Sequence, residues 1–203
     1  MESSVPKLEI PLSDREEERR LMARVRQGEA EARAELVDRV LDPVRRTASY
    51  LAGGSGDAED LAQTALIRIL QAAREFRGEA SIEHWAKRIT LYTCAKAFEK
   101  RSRRRGLWEQ TPLIAADVEA VDVQTEAFRA RRRLAELLGT LDYKVRAVMV
   151  LHYLEDHSIA VTADLIDAPI NTVRGRLREG RKALRKKILN DPLLRNWIKE
   201  IAP

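Results

Sequence analysis

This 203-residue chain predicts an all-α fold: two small helical domains joined by an acidic linker, the second carrying a helix-turn-helix. Three observations carry the expectation. Aromatic residues make up only 5% of the chain while Ala, Leu, Arg and Glu abound, which favours helices over sheets. Apolar residues recur at three- and four-residue spacing in nearly every segment between Gly and Pro breaks. Charge falls in blocks. Lys87, Arg88, Lys96, Lys100, Arg101, Arg103, Arg104 and Arg105 form one basic block, and Arg174, Arg176, Arg178, Arg181, Lys182, Arg185, Lys186 and Lys187 form another. Between them Glu109, Asp117, Glu119, Asp122 and Glu126 occur without a Lys or Arg from Gly106 to Ala127. A net charge of +5 suits a nucleic-acid partner but is common on ordinary soluble proteins, so the distribution says more than the total.

Residues 1–13, with Pro6 and Pro11 and no periodicity, read as a flexible tail, and Asp14 as the residue before a first helix with Leu21, Met22 and Val25 on its apolar side. Gly28 ends that helix. A longer one follows from Glu29 to Leu51, with Pro43 expected to kink it. Gly53-Gly54-Ser55-Gly56 has no Gly-Lys-Ser/Thr after it and no strand before it, so it is a turn and not a phosphate loop. Asp57 is placed to cap the next helix, which runs to Phe76 with Ala58, Leu61, Ala65, Ile69 and Ala72 inward. Asp60, Gln63, Ile67, Gln71 and Arg74 lie half a turn away, a face that suits either solvent or a docked protein.

Ser81 is placed to cap a helix on which Ile82, Trp85, Ile89 and Tyr92 form one stripe and Leu91, Cys94 and Phe98 a second, so burial on two sides is expected. Its end meets the Lys100 to Arg105 run, a solvated helix end or a phosphate clamp. The organisation is thus a first domain over residues 14–105, a linker over 106–124, a second domain over 125–190 and a tail over 191–203. Phe128, Leu134, Leu137 and Leu138 mark one helix of the second domain, and Val145, Val148, Met149, Leu151 and Leu154 the next. Ser158 to Ile188 then reads as two helices and a tight turn. Ala160, Ala163 and Leu165 supply the first helix, Asp167 the turn, and Pro169 suits the first turn of the second. There Val173, Leu177, Leu184 and Ile188 fall on one side, and Asn171, Gly175, Arg178 and Lys182 on the other. In the tail, Leu193, Leu194, Trp197 and Ile198 suggest a short packed helix.

Enzymatic chemistry is not expected. His84, His152 and His157 are scattered, with neither an HExxH nor a cysteine cluster, and no metal site or cofactor follows from the residues. Cys94, the single cysteine, rules out an intrachain disulfide and reads as an inert core thiol in a cytoplasmic protein. No apolar run approaches the ~20 residues needed to span a bilayer.

Two stretches together resemble one family. The first is Asp57-Ala-Glu-Asp60-Leu61-Ala-Gln63, then Phe76 to Ala80, Trp85, Arg88-Ile89 and the Arg101 to Arg105 run. The second is Leu141, Val145, Arg146, Leu151, Tyr153, Ser158, Ala163, Leu165, then Ile170 to Leu177, Arg181 and Leu184. From about Glu16 to Leu189 the chain resembles the extracytoplasmic-function sigma factors of bacterial RNA polymerase. The resemblance implies that Asp60, Gln63 and Ile67 dock on the β′ clamp of the core polymerase, with the β flap as a further contact. It implies that Arg77, Gly78, Glu79, Ala80, Trp85, Arg88 and Tyr92 capture and melt the promoter minus-ten element. Asn171, Thr172, Arg174, Gly175, Arg178 and Lys182 would then meet the minus-thirty-five element, the linker would run through the polymerase's RNA channels, and an anti-sigma protein would mask the docking surfaces. Tyr92 departs from the family's usual Asn, Val161-Thr162 from its usual Glu-Ile, and Gly175 from a small polar residue. A stand-alone helix-turn-helix regulator that acts without polymerase is the alternative.

Overall fold

The computed structural model describes residues 12–107, 126–192 and 194, and eight α-helices lie among them. α1 (Leu12–Gln27) begins two residues before Asp14, so Asp14 sits within its first turn and not ahead of it. α2 (Ala30–Ala52) runs on through Pro43 as one helix. Its end is set by Gly53, whose left-handed backbone (φ 63°) lets its N–H return to the Tyr50 carbonyl at 3.2 Å. α3 (Ala58–Ala72) tightens into a 3-10 turn, Ala73–Glu75, that stops at Phe76. Asp57 stands at the expected capping position but its side chain caps nothing; its carboxylate is drawn away by the Arg101 guanidinium of α4. An ion pair that also ties two helices together outcompetes a local cap.

α4 (Ile82–Leu107) is the longest helix, and its first turn is closed by Ser81 Oγ, which accepts from the His84 N–H at 3.2 Å. The run from Lys100 to Arg105 is helical, and α4 continues two residues into the span expected of the linker. The rest of the linker lies outside the described residues, as do residues 1–11 and Trp197. Leu194 is described, and it is buried.

The second half comprises α5 (Glu126–Gly139), α6 (Tyr143–Met149), which widens into a π-turn at Val150–Leu154, α7 (Ile159–Leu165) and α8 (Ile170–Leu189). α6 and α7 are capped by Asp142 and Ser158, which accept from Lys144 N (2.9 Å) and Val161 N (3.2 Å). Between α7 and α8 the chain reverses at Asp167, which adopts φ 49°, a left-handed conformation that a short polar side chain tolerates. Pro169 stands just before α8, not within it, and its carbonyl accepts from Thr172 and Val173.

α1 to α4 form one bundle around α2, and α5 to α8 a second around α8, but the two share a seam in which α2 meets α5 and α6, and α4 meets α6 and α7. One apolar cluster runs continuously through both. At the seam Arg146 is buried, and its guanidinium donates to Leu51 O (2.6 Å), Gly139 O (2.9 Å) and Leu141 O (3.0 Å) while lying over the Phe98 ring at 5.0 Å. Leu51 and Gly139 stand at the ends of α2 and α5, so one side chain serves carbonyls that the two helices leave unpaired. The helices meet so closely there that a Cβ on Gly139 would overlap the Gly53 carbonyl.

Arg146→Ala strips donors from three carbonyls at a buried junction, and urea unfolding should show a loss of about 2–4 kcal/mol. The opposite sign is expected at Thr162, which is fully buried in α7 with no hydrogen-bond partner for its hydroxyl among the described residues. Thr162→Val keeps the shape, removes the orphan oxygen, and should raise stability by about 1 kcal/mol in the same measurement.

Candidate nucleic-acid interface

The inward side of α3 is Leu61, Ala65 and Ile69, all buried against α2 and α4. That packing leaves Asp60, Gln63 and Ile67 on the outer face, with Ile67 56% exposed. A branched aliphatic side chain held in water between polar neighbours is a surface that gains from being covered.

The loop from Arg77 to Ala80 is anchored at both ends by aromatic packing. Phe76 is buried, and its ring meets Trp85 edge-on at 5.2 Å. Gly78 turns the loop with φ 70° directly beneath Arg19 of α1, whose Nε would stand 3.2 Å from a Cβ placed there. Behind the loop, the buried Glu18 carboxylate accepts from the Ile82 N–H at 3.3 Å and pairs with Arg39 at 2.8 Å, and Arg39 pairs in turn with Glu83. This chain of charge fixes where α4 starts. Arg77, Glu79, Arg88 and Tyr92 are exposed, while Ala80 and Trp85 are half-buried. Tyr92 is a correction to the expected apolar stripe: at 59% exposure it does not pack into the core as Ile82 does.

These residues line one side of an open cleft of about 1550 Å³, and the turn Ile166 to Ala168 with Arg176 lines the other. On α8, Asn171, Arg174, Gly175, Arg178 and Lys182 are exposed and Thr172 is half-buried; opposite them Val173, Leu177, Gly180 and Leu184 are buried. Gly180 owes its place to Met149, whose sulfur would lie 2.6 Å from a Cβ there, whereas a side chain at Gly175 would meet open space. The outer face therefore offers guanidinium forks and an amide, groups able to bond base edges and phosphates, on a helix seated by its inner face.

Not every cation faces outward. Lys87, in the basic block of α4, is nearly buried, with its ammonium 2.6 Å from Glu155 Oε2 and 2.7 Å from His157 Nε2. The Glu155 side chain is 1% exposed, and its other oxygen accepts from the Thr47 hydroxyl at 2.5 Å. Burial pushes the Glu155 carboxyl up, but bonds from His157, Lys87 and Thr47 together pull it below its ordinary value. His84 meets Asp164 of α7 at 2.7 Å, and the Tyr143 hydroxyl donates to Leu91 O at 2.7 Å.

Residues 36–104 match Sigma-70 region 2, and residues 131–184 match Sigma-70, region 4. The chain belongs to the extracytoplasmic-function sigma factors. It is 25% identical to the ECF RNA polymerase sigma factor SigW of Bacillus subtilis, over 81% of this chain and 92% of that protein. It is 33% identical to SigE of Mycolicibacterium smegmatis, over 74% of this chain and 59% of that one. The fold is shared with CnrH, solved in complex with the cytosolic domain of CnrY, at a TM-score of 0.60 and 22% identity over 86% of this chain and 98% of CnrH.

Within this sigma factor the histidines have structural partners: His152 Nδ1 lies 2.7 Å from the His157 carbonyl, and His84 and His157 hold the seam. Cys94 is buried, which pushes its thiol up to about 12 and leaves it protonated and unreactive at neutral pH. Among the described residues, no helix is long and apolar enough to cross a membrane. Sequence reasoning missed Glu18, Arg39 and Lys87–Glu155, because each depends on partners dozens of residues away.

Glu155→Gln breaks a buried ion pair and should cost about 3 kcal/mol at pH 7 in urea unfolding. Because the folded carboxyl sits lower than the unfolded one, its contribution is complete above the ordinary carboxylate value of 4.5 and is lost as pH falls through the folded value. The gap between the two proteins should therefore narrow below about pH 4.5.

Proposed function

We infer that this sigma factor binds core RNA polymerase in the cytoplasm, directs it to particular promoters and helps to melt them. The observation that supports this best is the pairing of two unlike surfaces in one chain: an aromatic-anchored loop with an open cleft beside α4, and an arginine-bearing outer face on α8. In this reading residues 14–105 form the core-binding and minus-ten domain and residues 125–190 the minus-thirty-five domain, with residues 106–124 linking them. Asp60, Gln63 and Ile67 dock on the polymerase clamp. Arg77 to Ala80 with Trp85, Arg88 and Tyr92 receive an unstacked minus-ten base, a step that costs a few kcal/mol and must be returned by stacking and pocket contacts. Arg174 and Arg178, flanked by Asn171, Thr172, Gly175 and Lys182, read the minus-thirty-five duplex. The protein supplies binding and no catalytic group. An anti-sigma factor is a fitting partner, since the related RpoE of Bartonella quintana was solved with the anti-sigma factor NepR. A stand-alone regulator would leave the region 2 match and the exposed face of α3 without a purpose.

In vitro transcription with core polymerase on fragmented genomic DNA tests the reading. Specific transcripts should appear only when the protein is added, and their absence from every fragment together with no core complex would sink it. Neutralising Arg174 and Arg178 together should lower promoter discrimination at least tenfold, since a bidentate arginine contact is worth ~1–3 kcal/mol against the wrong base. Core binding should stay within about twofold. Asp60→Ala with Gln63→Ala should do the reverse.

A further inference from the structure

α1 lies ahead of the stretch that matches Sigma-70 region 2, and two of its arginines stand against the local rules of a helix. Arg15 falls in the first turn, where the helix dipole disfavours a cation, and Arg19 follows four residues on, where like charges repel. Nothing offsets either cost. Among the described residues no group pairs with Arg15 or Arg19, and the Arg15 Nε is shut off from water with no hydrogen bond. Arg20 and Arg24 lie on nearly the opposite flank of the same helix, and there Glu16 pairs with the first and Glu29 and Glu35 with the second. The unpaired flank borders the minus-ten loop. Arg19 is exposed and lies across Gly78, its Cγ 3.5 Å and its Cδ 3.9 Å from where a Cβ would stand, and α1 packs on the 3-10 turn that leads into the loop. On the loop's other side Glu75 and Glu79 line the cleft, which Arg15 and Arg19 do not reach. A strand whose base enters the loop must carry its phosphates past it, and two free guanidiniums favour the α1 side while those carboxylates disfavour their own.

We propose that Arg15 and Arg19 form a phosphate-binding site that holds the backbone of the single strand where it passes the minus-ten loop on the α1 side. The site rests on the promoter-melting reading above and adds to it a contact that reads no base. Four residues of helix set the two positions about 6 Å apart along the axis, so the two cations serve neighbouring phosphates of one strand. Guanidinium forks suit phosphate oxygens, and neither arginine has to break an existing bond to reach them.

The test uses the full chain in complex with core polymerase and fluorescein-labelled fork DNA, whose single-stranded arm carries the minus-ten segment of a promoter found by the transcription assay. Affinity is read by anisotropy from about 0.05 to about 1 M salt. Each phosphate neutralised on a single strand adds ~0.7 to the log–log salt slope, so Arg15→Gln with Arg19→Gln should lower the slope by about 1.4. Binding should be about twentyfold weaker near 0.1 M salt and almost native near 1 M. Arg15→Lys with Arg19→Lys should keep the native slope, and Arg20→Ala, on the paired flank, should leave it unchanged. A neutral methylphosphonate walked along the arm should weaken the native complex at one or two linkages and leave the double Gln variant unaffected there. Core binding, helix content and affinity for a duplex without the arm should match the native chain. The site is refuted if the double Gln variant keeps the native slope, if every methylphosphonate costs both complexes equally, or if the deficit appears on the duplex or in core binding. The methylphosphonate scan needs only the native chain, in which no sensitive linkage beside the minus-ten segment refutes the site even where the variant folds poorly. If the native complex fails to form or to bind the fork, the melting reading falls and the site with it; a native complex that binds normally beside a double Gln variant of unchanged slope removes the site alone.

Discussion

A guanidinium kept out of water needs partners for its donors, and at the seam of this protein both terminal nitrogens of Arg146 have them while its buried Nε has none among the described residues. Among the described residues no carboxylate hydrogen-bonds Arg146, though the nearby Asp142 charge favours its charged form. The side chain donates to three main-chain carbonyls, one ending α2, one ending α5 and one in the turn after α5. Burial lowers its pKa, so the carbonyl dipoles must stand close and well aimed for the charge to persist. This closeness is possible only because Gly53 and Gly139 bring no side chains to the crossing. The seam then carries Lys87–Glu155, His84–Asp164 and Tyr143–Leu91 at fixed distances, and with them the cleft whose two walls come from opposite halves.

Local pattern was a good guide wherever a helix has one wet and one dry side. The inward sets of α3 and α8, the Ser81 and Ser158 caps and the left-handed Asp167 all follow from neighbours within four residues, the range over which helical geometry acts. The misreadings have a common cause. Asp57 was a sound cap by local rules, but Arg101 lies 44 residues on and offers a full charge. Tyr92 continued an apolar stripe by spacing, yet α4 turns that position toward the cleft, where two cations hold it. Glu18 and Arg39 drew no reading and Lys87 only a place in a basic block, because nothing nearby in sequence marks their partners. Of the candidate site, the face positions on α3, α4 and α8 were legible, and the scaffold that orients them was not.

The two basic blocks also differ in kind once their partners are known. On α8 the cations are exposed except Arg176, which is half-buried at the cleft. Among the described side chains of α4, Arg101 binds Asp57 and Lys87 binds Glu155, while Arg88, Lys96, Lys100 and Arg103 are exposed. Counting charges therefore overstates what α4 presents to a phosphate backbone, and fewer outward cations means fewer counterions released on binding. Such a helix suits contact with a strand held mainly by stacking, whereas α8 suits a duplex gripped by its phosphates.

The seam has a further meaning for connectivity. Residues 108–125 join the halves covalently, but α2, α5 and α6 join them again by burial and hydrogen bonds. A covalent link alone holds one half near the other at an effective concentration in the millimolar range. Surfaces that already fit need little more than that. The chain behaves as a heterodimer whose association step has been made intramolecular, and a break between α4 and α5 would leave two fragments that still carry the instructions for finding each other.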